Sequence, residues 1–199
     1  MMKRKFNLAM AACAMAVVLL GGCGKTAQEE KVQEDMQTET DEISTSEEDG
    51  QTEQSAGIIF EAQDLEGNTV TESLFAESRL TMVNVWATYC NPCLSEMPGL
   101  GELAGEYDPD QFQIIGIVSD VQEGAQEEAL EYAEALVSQT GAEYSHLLLN
   151  QSLFMSLLRD VSAVPTTFFV DENGEVLDTI VGAMDKSAWR EKIDAFLEE

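Results

Sequence analysis

The chain has 199 residues, of which 38 are acidic and 10 are basic, and its formal net charge at pH 7 is −28. This length suits one folded domain with appendages. A surface this negative is repelled by the phosphate backbone of nucleic acids, so we expect no nucleic-acid partner.

The first 22 residues have the pattern of a targeting segment. Residues 3–5 are basic, and residues 6–20 form an apolar stretch that is short for a membrane span. Residues 20–23 resemble the end of a bacterial lipoprotein signal, in which small residues precede a cysteine that is lipidated. We therefore predict a signal peptide over residues 1–22 and a membrane anchor at Cys23. The alternative is an ordinary signal peptide or anchor with an incidental cysteine.

An acidic linker is predicted over residues 23–56. After Cys23 it contains eleven Asp or Glu residues, two Lys residues and no aromatic residue. Such a composition cannot bury enough apolar surface to offset its ordering entropy, so we expect disorder. The folded domain is then expected over residues 57–199.

Strand-like apolar runs alternate with helical periodicities through this domain. The predicted elements are a hairpin over residues 58–64 and 69–71, a strand over 80–87, a helix over 94–107 kinked at Pro98, a strand over 112–118, a helix over 125–140, a strand over 144–149, a helix over 152–159, a hairpin of 168–170 with 176–181, and a helix over 185–197. This order predicts an α/β domain with a mixed central sheet and helices on both faces.

Two cysteines, Cys90 and Cys93, stand three residues apart where the strand over residues 80–87 gives way to a helix. The start of a helix has unpaired N–H groups and the positive end of the helix dipole, which stabilise a thiolate. Cys93 is close enough to form a disulfide with Cys90. The pattern therefore indicates a redox-active dithiol.

Other uses of a Cys-x-x-Cys pair fit less well. A zinc site needs two further ligands, and the chain offers only Cys13 and Cys23 in the targeting segment and a single histidine, His146. Haem attachment needs a histidine directly after the second cysteine, where Leu94 stands. A structural disulfide closing so short a loop gains little loop-closure entropy. We therefore expect neither a metal nor a cofactor, and we expect His146 to be a structural residue with satisfied hydrogen bonds.

The motif of residues 86–93, followed by Ser95, Glu96, Met97 and Pro98, resembles the thioredoxin-like TlpA/ResA-type thiol-disulfide oxidoreductases. The resemblance implies a thioredoxin-like fold with an N-terminal β-hairpin extension. It also implies that residues 164–171 contain a cis-proline loop in which Val164 and Pro165 contact the substrate chain. The buried aspartate of thioredoxin is replaced by Asn84, and Glu96 takes the place of the acid that these proteins carry on the active-site helix.

The predicted mechanism is thiol–disulfide exchange, with Cys90 attacking a substrate disulfide and Cys93 resolving the mixed disulfide. Glu96 is expected to exchange a proton with Cys93. Trp86 is expected to pack around the cysteines and to contribute to substrate binding. The resemblance implies disulfide-containing exported proteins as substrates and a CcdA-type membrane protein as electron donor.

Two other functions stay open. A peroxiredoxin-type peroxidase shares the fold, but its motif has Thr and Pro where this chain has Ala87 and Val83. A non-catalytic lipoprotein that binds a solute or partner through the same cleft is the second alternative.

Overall fold

The computed structural model describes residues 57–198. The predictions for the signal peptide, Cys23 and the acidic linker therefore lie outside the described residues. Within residues 57–198, no helix has both the length and the apolar character needed to cross a bilayer.

The described chain begins with a small antiparallel hairpin and continues into a five-stranded mixed sheet. The hairpin pairs β1 (Glu61–Gln63) with β2 (Thr69–Thr71). The sheet consists of β3 (Leu80–Trp86), β4 (Phe112–Gln122), β5 (His146–Leu149), β6 (Thr166–Asp171) and β7 (Val176–Val181). Its strand order is β5-β4-β3-β6-β7, with β3, β4 and β5 parallel and β6 and β7 antiparallel to their neighbours.

Four helices connect and cover these strands. They are α1 (Asn91–Ala104), α2 (Glu127–Thr140), a short α3 (Gln151–Leu153) that continues into a π-helical turn (Phe154–Leu158), and α4 (Lys186–Glu198). A 3-10 segment (Glu72–Glu77) links the hairpin to β3. The thioredoxin-like fold predicted from the sequence is confirmed, with its hairpin extension and its mixed sheet.

Strand β3 is the centre of the core, because all seven of its residues are buried. Val83 and Val85 point to one face, where they pack in a cluster with Phe60 of the hairpin region and Phe75 of the 3-10 segment. Residues that alternate with them point to the opposite face and pack against α1, α2 and α4. A strand covered on both faces reads as a near-continuous apolar run, and five of the seven residues of β3 are apolar.

The boundaries differ from the prediction where capping residues decide them. Helix α1 begins at Asn91 rather than Leu94, because Cys90 is its N-cap and Pro92 fits its first turn. It ends at Ala104 because Gly105 forms the C-cap. The next strand, β4, is longer than the predicted strand over residues 112–118, since it continues past Val118 and pairs again with β5 at Gln122.

Candidate active site

The turn between β3 and α1 places the two cysteines. Cys90 Sγ accepts a hydrogen bond from the Cys93 backbone N–H at 3.2 Å, and the Cys90 N–H donates to the Ala87 carbonyl at 3.0 Å. Cys90 and Cys93 form a disulfide with their Cα atoms 5.3 Å apart. The sulfur of Cys90 therefore lies against the unpaired N–H groups of a helix start, where a thiolate is stabilised.

The two sulfurs differ in access. Cys90 is 5% exposed, whereas Cys93 has no exposed surface. Tyr89, directly before Cys90, is 74% exposed. A disulfide in a substrate can therefore reach Cys90 first, beside the Tyr89 ring.

Strand β4 fixes this turn through a clamp of two side chains, Ser119 and Asp120, which the sequence analysis does not single out. The Ser119 hydroxyl donates to the Trp86 carbonyl at 2.8 Å. The Asp120 carboxylate accepts from the Thr88 N–H at 3.0 Å and from the Thr88 hydroxyl at 2.6 Å. The sequence does contain a signal for them, because Ser119 and Asp120 directly follow the apolar run of residues 112–118. Neighbouring parallel strands bring their carboxyl ends to the same edge of a sheet, so these side chains were candidates to lie near the dithiol.

The loop before β6 lies next to the dithiol. The Val164–Pro165 peptide bond is cis, and the Pro165 carbonyl accepts from the Gly182 N–H at 2.9 Å. Val164 packs against the cluster that contains Cys90 and Cys93. The structure therefore brings the two predicted loop residues to the same side of the molecule as the cysteines.

A groove of about 250 Å³ extends from this place. Tyr89 and Val164 line the end near the dithiol, and Phe154, Leu158 and Val161 line the rest. The groove is open to solvent and its wall is largely apolar. It can receive a side chain from a polypeptide whose disulfide lies at Cys90.

Glu96 is buried on α1, and both of its carboxylate oxygens are hydrogen-bonded. Oε1 accepts from Asn84 Nδ2 at 3.1 Å, and Oε2 accepts from the Met184 N–H and from Trp189 Nε1, each at 3.1 Å. Burial raises the pKa of Glu96 above its usual value, and these three donors act in the opposite direction. The effect of burial is the larger one, which brings the carboxyl closer to the range of a proton acceptor at neutral pH.

Trp86 lies beneath the cysteines and has no exposed surface. Its Nε1 donates to His146 Nδ1 at 3.0 Å, and His146 Nε2 donates to the Ala142 carbonyl at 2.8 Å. Burial lowers the pKa of His146 to about 4, so the ring is neutral at pH 7. The buried indole cannot touch a substrate from this position, and Tyr89 is the aromatic residue at the surface.

Between residues 57 and 198 no three His, Cys, Asp or Glu side chains lie where they could share a metal ion. The polar groups at the site are therefore those of the dithiol, the Glu96 carboxyl and the clamp on Thr88.

Comparisons with known proteins agree with this arrangement. Thioredoxin-like protein YneN of Bacillus subtilis is 27% identical over 119 residues, which cover 60% of this chain and 66% of that protein. Thiol-disulfide oxidoreductase ResA of Halalkalibacterium halodurans is 29% identical over 127 residues, which cover 64% of this chain and 67% of that protein. The chain thus spans about two thirds of the length of these relatives.

A solved structure of a thioredoxin-family thiol:disulfide interchange protein from Chlorobium tepidum superimposes with a TM-score of 0.60 at 22% identity. The superposition covers 71% of this chain and 95% of the Chlorobium tepidum chain. The fold and the dithiol define a thioredoxin-like thiol-disulfide oxidoreductase of the ResA/TlpA type, as predicted. A model of the AhpC/TSA family matches residues 55–179, and the chain belongs to that family.

His146 lies so close to β4 that we expect a side chain at Gly116 to lower the stability of the fold. A Cβ at Gly116 would lie 2.0 Å from His146 Nδ1, so Gly116→Ala must displace the ring that holds Trp86. We expect the free energy of unfolding to fall by about 3 kcal/mol, the upper range for overpacking. Denaturant unfolding with the disulfide intact measures it.

Gly105→Ala is the matched control, because a Cβ there meets only the Glu102 carbonyl at 3.7 Å. Equal stability of the Gly116 and Gly105 variants would show that the ring moves away at no cost.

Proposed function

We propose that this protein is a membrane-anchored extracytoplasmic oxidoreductase that reduces disulfides in exported proteins through Cys90 and Cys93. The observation that carries the proposal is the position of the pair: Cys90 caps helix α1 and is the more exposed sulfur, while Cys93 lies behind it. The names of the ResA relatives support the chemistry.

The reaction proceeds in two exchanges. The Cys90 thiolate attacks one sulfur of the substrate disulfide, forms a mixed disulfide and releases the other sulfur as a thiolate, which takes a proton from water. Cys93 then attacks Cys90 Sγ, which closes the Cys90–Cys93 disulfide and releases the second substrate thiolate. The substrate gains two electrons and two protons, and the protein dithiol is oxidised.

We assign Glu96 the role of accepting the proton that Cys93 loses as it becomes a nucleophile. Glu96 follows Cys93 by three residues on α1, so the two side chains lie on neighbouring positions of the helix. Its buried carboxyl has a raised pKa, which suits reversible proton transfer. The proton leaves to solvent before the dithiol is regenerated.

Substrate recognition is assigned to the loop of Val164 and Pro165, whose backbone can pair with an extended chain. The groove beside Tyr89 then receives a neighbouring apolar side chain. From Gly57 onward the domain carries 27 acidic and 5 basic residues. Neutral or basic segments around the substrate cysteine are therefore favoured over acidic ones.

The location follows from the N-terminal pattern. Lipidation of Cys23 anchors the chain, and the acidic segment up to residue 56 separates the domain from the bilayer. A dithiol held outside the cytoplasm becomes oxidised and needs an electron supply, for which a CcdA-type membrane protein is the proposed donor.

Substitution of the cysteines separates their roles. We expect Cys90→Ser to abolish insulin reduction, because no attacking thiolate is left. Cys93→Ser should accumulate mixed disulfides with its substrates, because the resolving thiol is missing. Non-reducing electrophoresis and mass spectrometry of trapped proteins measure this, with the double variant as the control.

Trapping by the Cys90 variant alone would reverse the two assignments. The parent protein, with both cysteines, tests the peroxidase alternative when it is incubated with hydrogen peroxide: turnover of peroxide faster than reduction of insulin would replace the proposed function. An inert disulfide in both assays would favour the non-catalytic binding function.

The acidic surroundings predict the direction of electron flow. Negative charge near Cys90 disfavours its thiolate and thereby disfavours a strong oxidant. We expect a reduction potential more negative than about −180 mV, the value typical of disulfide isomerases. Equilibration of the Cys90–Cys93 pair with glutathione buffers measures it, and a value near about −120 mV would make the protein a disulfide donor.

The lipid anchor is tested by Cys23→Ala. Because the anchoring chemistry needs the Cys23 sulfur, we expect the variant to remain an unprocessed precursor without lipid. Metabolic labelling with a fatty acid and membrane fractionation detect the change. Unaltered labelling and processing would rule out lipidation at this residue.

A further inference from the structure

One row across four strands of the sheet, on the face covered by α1, holds three buried polar side chains and a glycine. In the strand register Thr167 of β6 lies beside Asn84 of β3, Asn84 beside Gly116 of β4, and Gly116 beside His146 of β5. Thr167 and Asn84 have no exposed surface. Burial of polar groups costs free energy unless they are hydrogen-bonded, so apolar packing alone does not account for this row.

The Asn84 amide is used in one orientation. Its Nδ2 donates to Glu96 Oε1 and to Thr167 Oγ1, each at 3.1 Å. Its Oδ1 is buried and has no hydrogen-bond partner among the described residues. The amide therefore gives both N–H donors to its neighbours and leaves its acceptor unused, although an unsatisfied buried acceptor is costly.

The surroundings of Glu96 explain this orientation. All three groups that contact its carboxyl are N–H donors, from Asn84, Met184 and Trp189. An ionised carboxylate accepts from all of them, whereas a protonated carboxyl also needs an acceptor for its own proton. The Met184 N–H and Trp189 Nε1–H can only donate, and Asn84 Oδ1 makes no hydrogen bond to the carboxyl.

We propose that Asn84 is a positioning residue that holds Glu96, one helical turn after Cys93, as a carboxylate and so keeps it ready to take the Cys93 proton. Thr167 fixes the amide by binding its second N–H. The proposal rests on the role of Glu96 given under the proposed function. In the resolving step, the proton moves from Cys93 Sγ to Glu96 as Cys93 Sγ bonds to Cys90 Sγ and the substrate leaves as a thiolate.

The other titratable groups near Glu96 do not supply this effect. Tyr144 lies on the β5 side, and burial raises the pKa of its phenol, so it stays neutral. On α1 itself the two cysteines are joined as a disulfide. Asp185 and Lys186 adjoin Met184 at the start of α4, but both charged groups are bound to other partners near the surface.

Asn84→Leu tests the proposal, because leucine keeps the branched shape of the side chain and removes the donor. In the oxidised full chain, an infrared pH titration follows the carboxyl band of Glu96, which Glu96→Gln identifies by its loss. Since the donor favours the ionised form, we expect the midpoint to rise by about one to two pH units, the effect of one hydrogen bond to a charged group.

The same variant makes a kinetic prediction that a purely structural role would not. At a pH between the two midpoints, Glu96 is protonated in the variant and cannot accept the Cys93 proton. We expect the mixed disulfide to resolve about tenfold more slowly than in the parent protein, in proportion to the lost ionised fraction. Raising the pH above the new midpoint should restore the rate.

Thr81→Val is the matched control, because Thr81 is buried on the same strand but accepts its hydrogen bond from Gln113. Its Glu96 midpoint should equal that of the parent protein. If Asn84→Leu does not fold, Asn84→Asp replaces it. The titration midpoint of the two neighbouring carboxyl groups should then lie above that of Glu96 in the parent protein, because two like charges share the site.

A midpoint that is unchanged or lower in the folded Asn84 variant overturns the proposal. Its failure is distinct from failure of the proposed function. An unmoved midpoint with active disulfide exchange refutes the role of Asn84 alone. A raised midpoint in a protein whose parent shows no exchange refutes the oxidoreductase function, and only the stabilisation of the Glu96 carboxylate by Asn84 then stands.

Discussion

The junction between strand β3 and helix α1 is the constraint on which the rest of the site depends. The strand must be buried on both faces to hold its end in place, and the helix must start immediately after it for its N–H groups to face a sulfur. Cys90 meets both conditions because it is the N-cap itself, with its Sγ bonded to the Cys93 N–H. The clamp from Ser119 and Asp120 then fixes the turn from the neighbouring parallel strand.

Placing a dithiol at the edge of a dense core leaves its proton chemistry to groups inside the core. Glu96 belongs to α1 and is bound from the sheet by Asn84 and from α4 by Trp189, so three elements meet at one carboxyl. Asn84, Trp189 and the Met184 N–H each contribute a donor, and their combined effect opposes the desolvation that raises the pKa of Glu96. In the proposed mechanism, the balance between burial and these hydrogen bonds determines whether Glu96 can take a proton at neutral pH.

The sequence was sufficient for the order of the strands and long helices, because apolar runs such as β3 are local signals. It was also sufficient for the dithiol, since the two cysteines are adjacent on one helix turn. It did not reveal the clamp on Thr88 or the bond between Trp86 and His146, because these join residues that are 32 and 60 positions apart. It also assigned Trp86 to substrate contact, since a motif shows which residues are neighbours but not which of them is covered by other elements.

The distribution of positive charge explains why the helix start is the main stabiliser of a Cys90 thiolate. Of the five basic residues from Gly57 onward, Lys186, Arg190 and Lys192 pair with carboxylates and belong to α4. Arg79 donates to the Leu197 carbonyl, also at the α4 end. Four of the five cations thus lie where α1 ends and α4 packs, whereas α1 begins at the dithiol. The fifth, Arg159, follows Leu158 of the groove. A thiolate supported by backbone dipoles and not by a paired cation is less stabilised, which is the condition for a dithiol that gives electrons away more readily than it takes them.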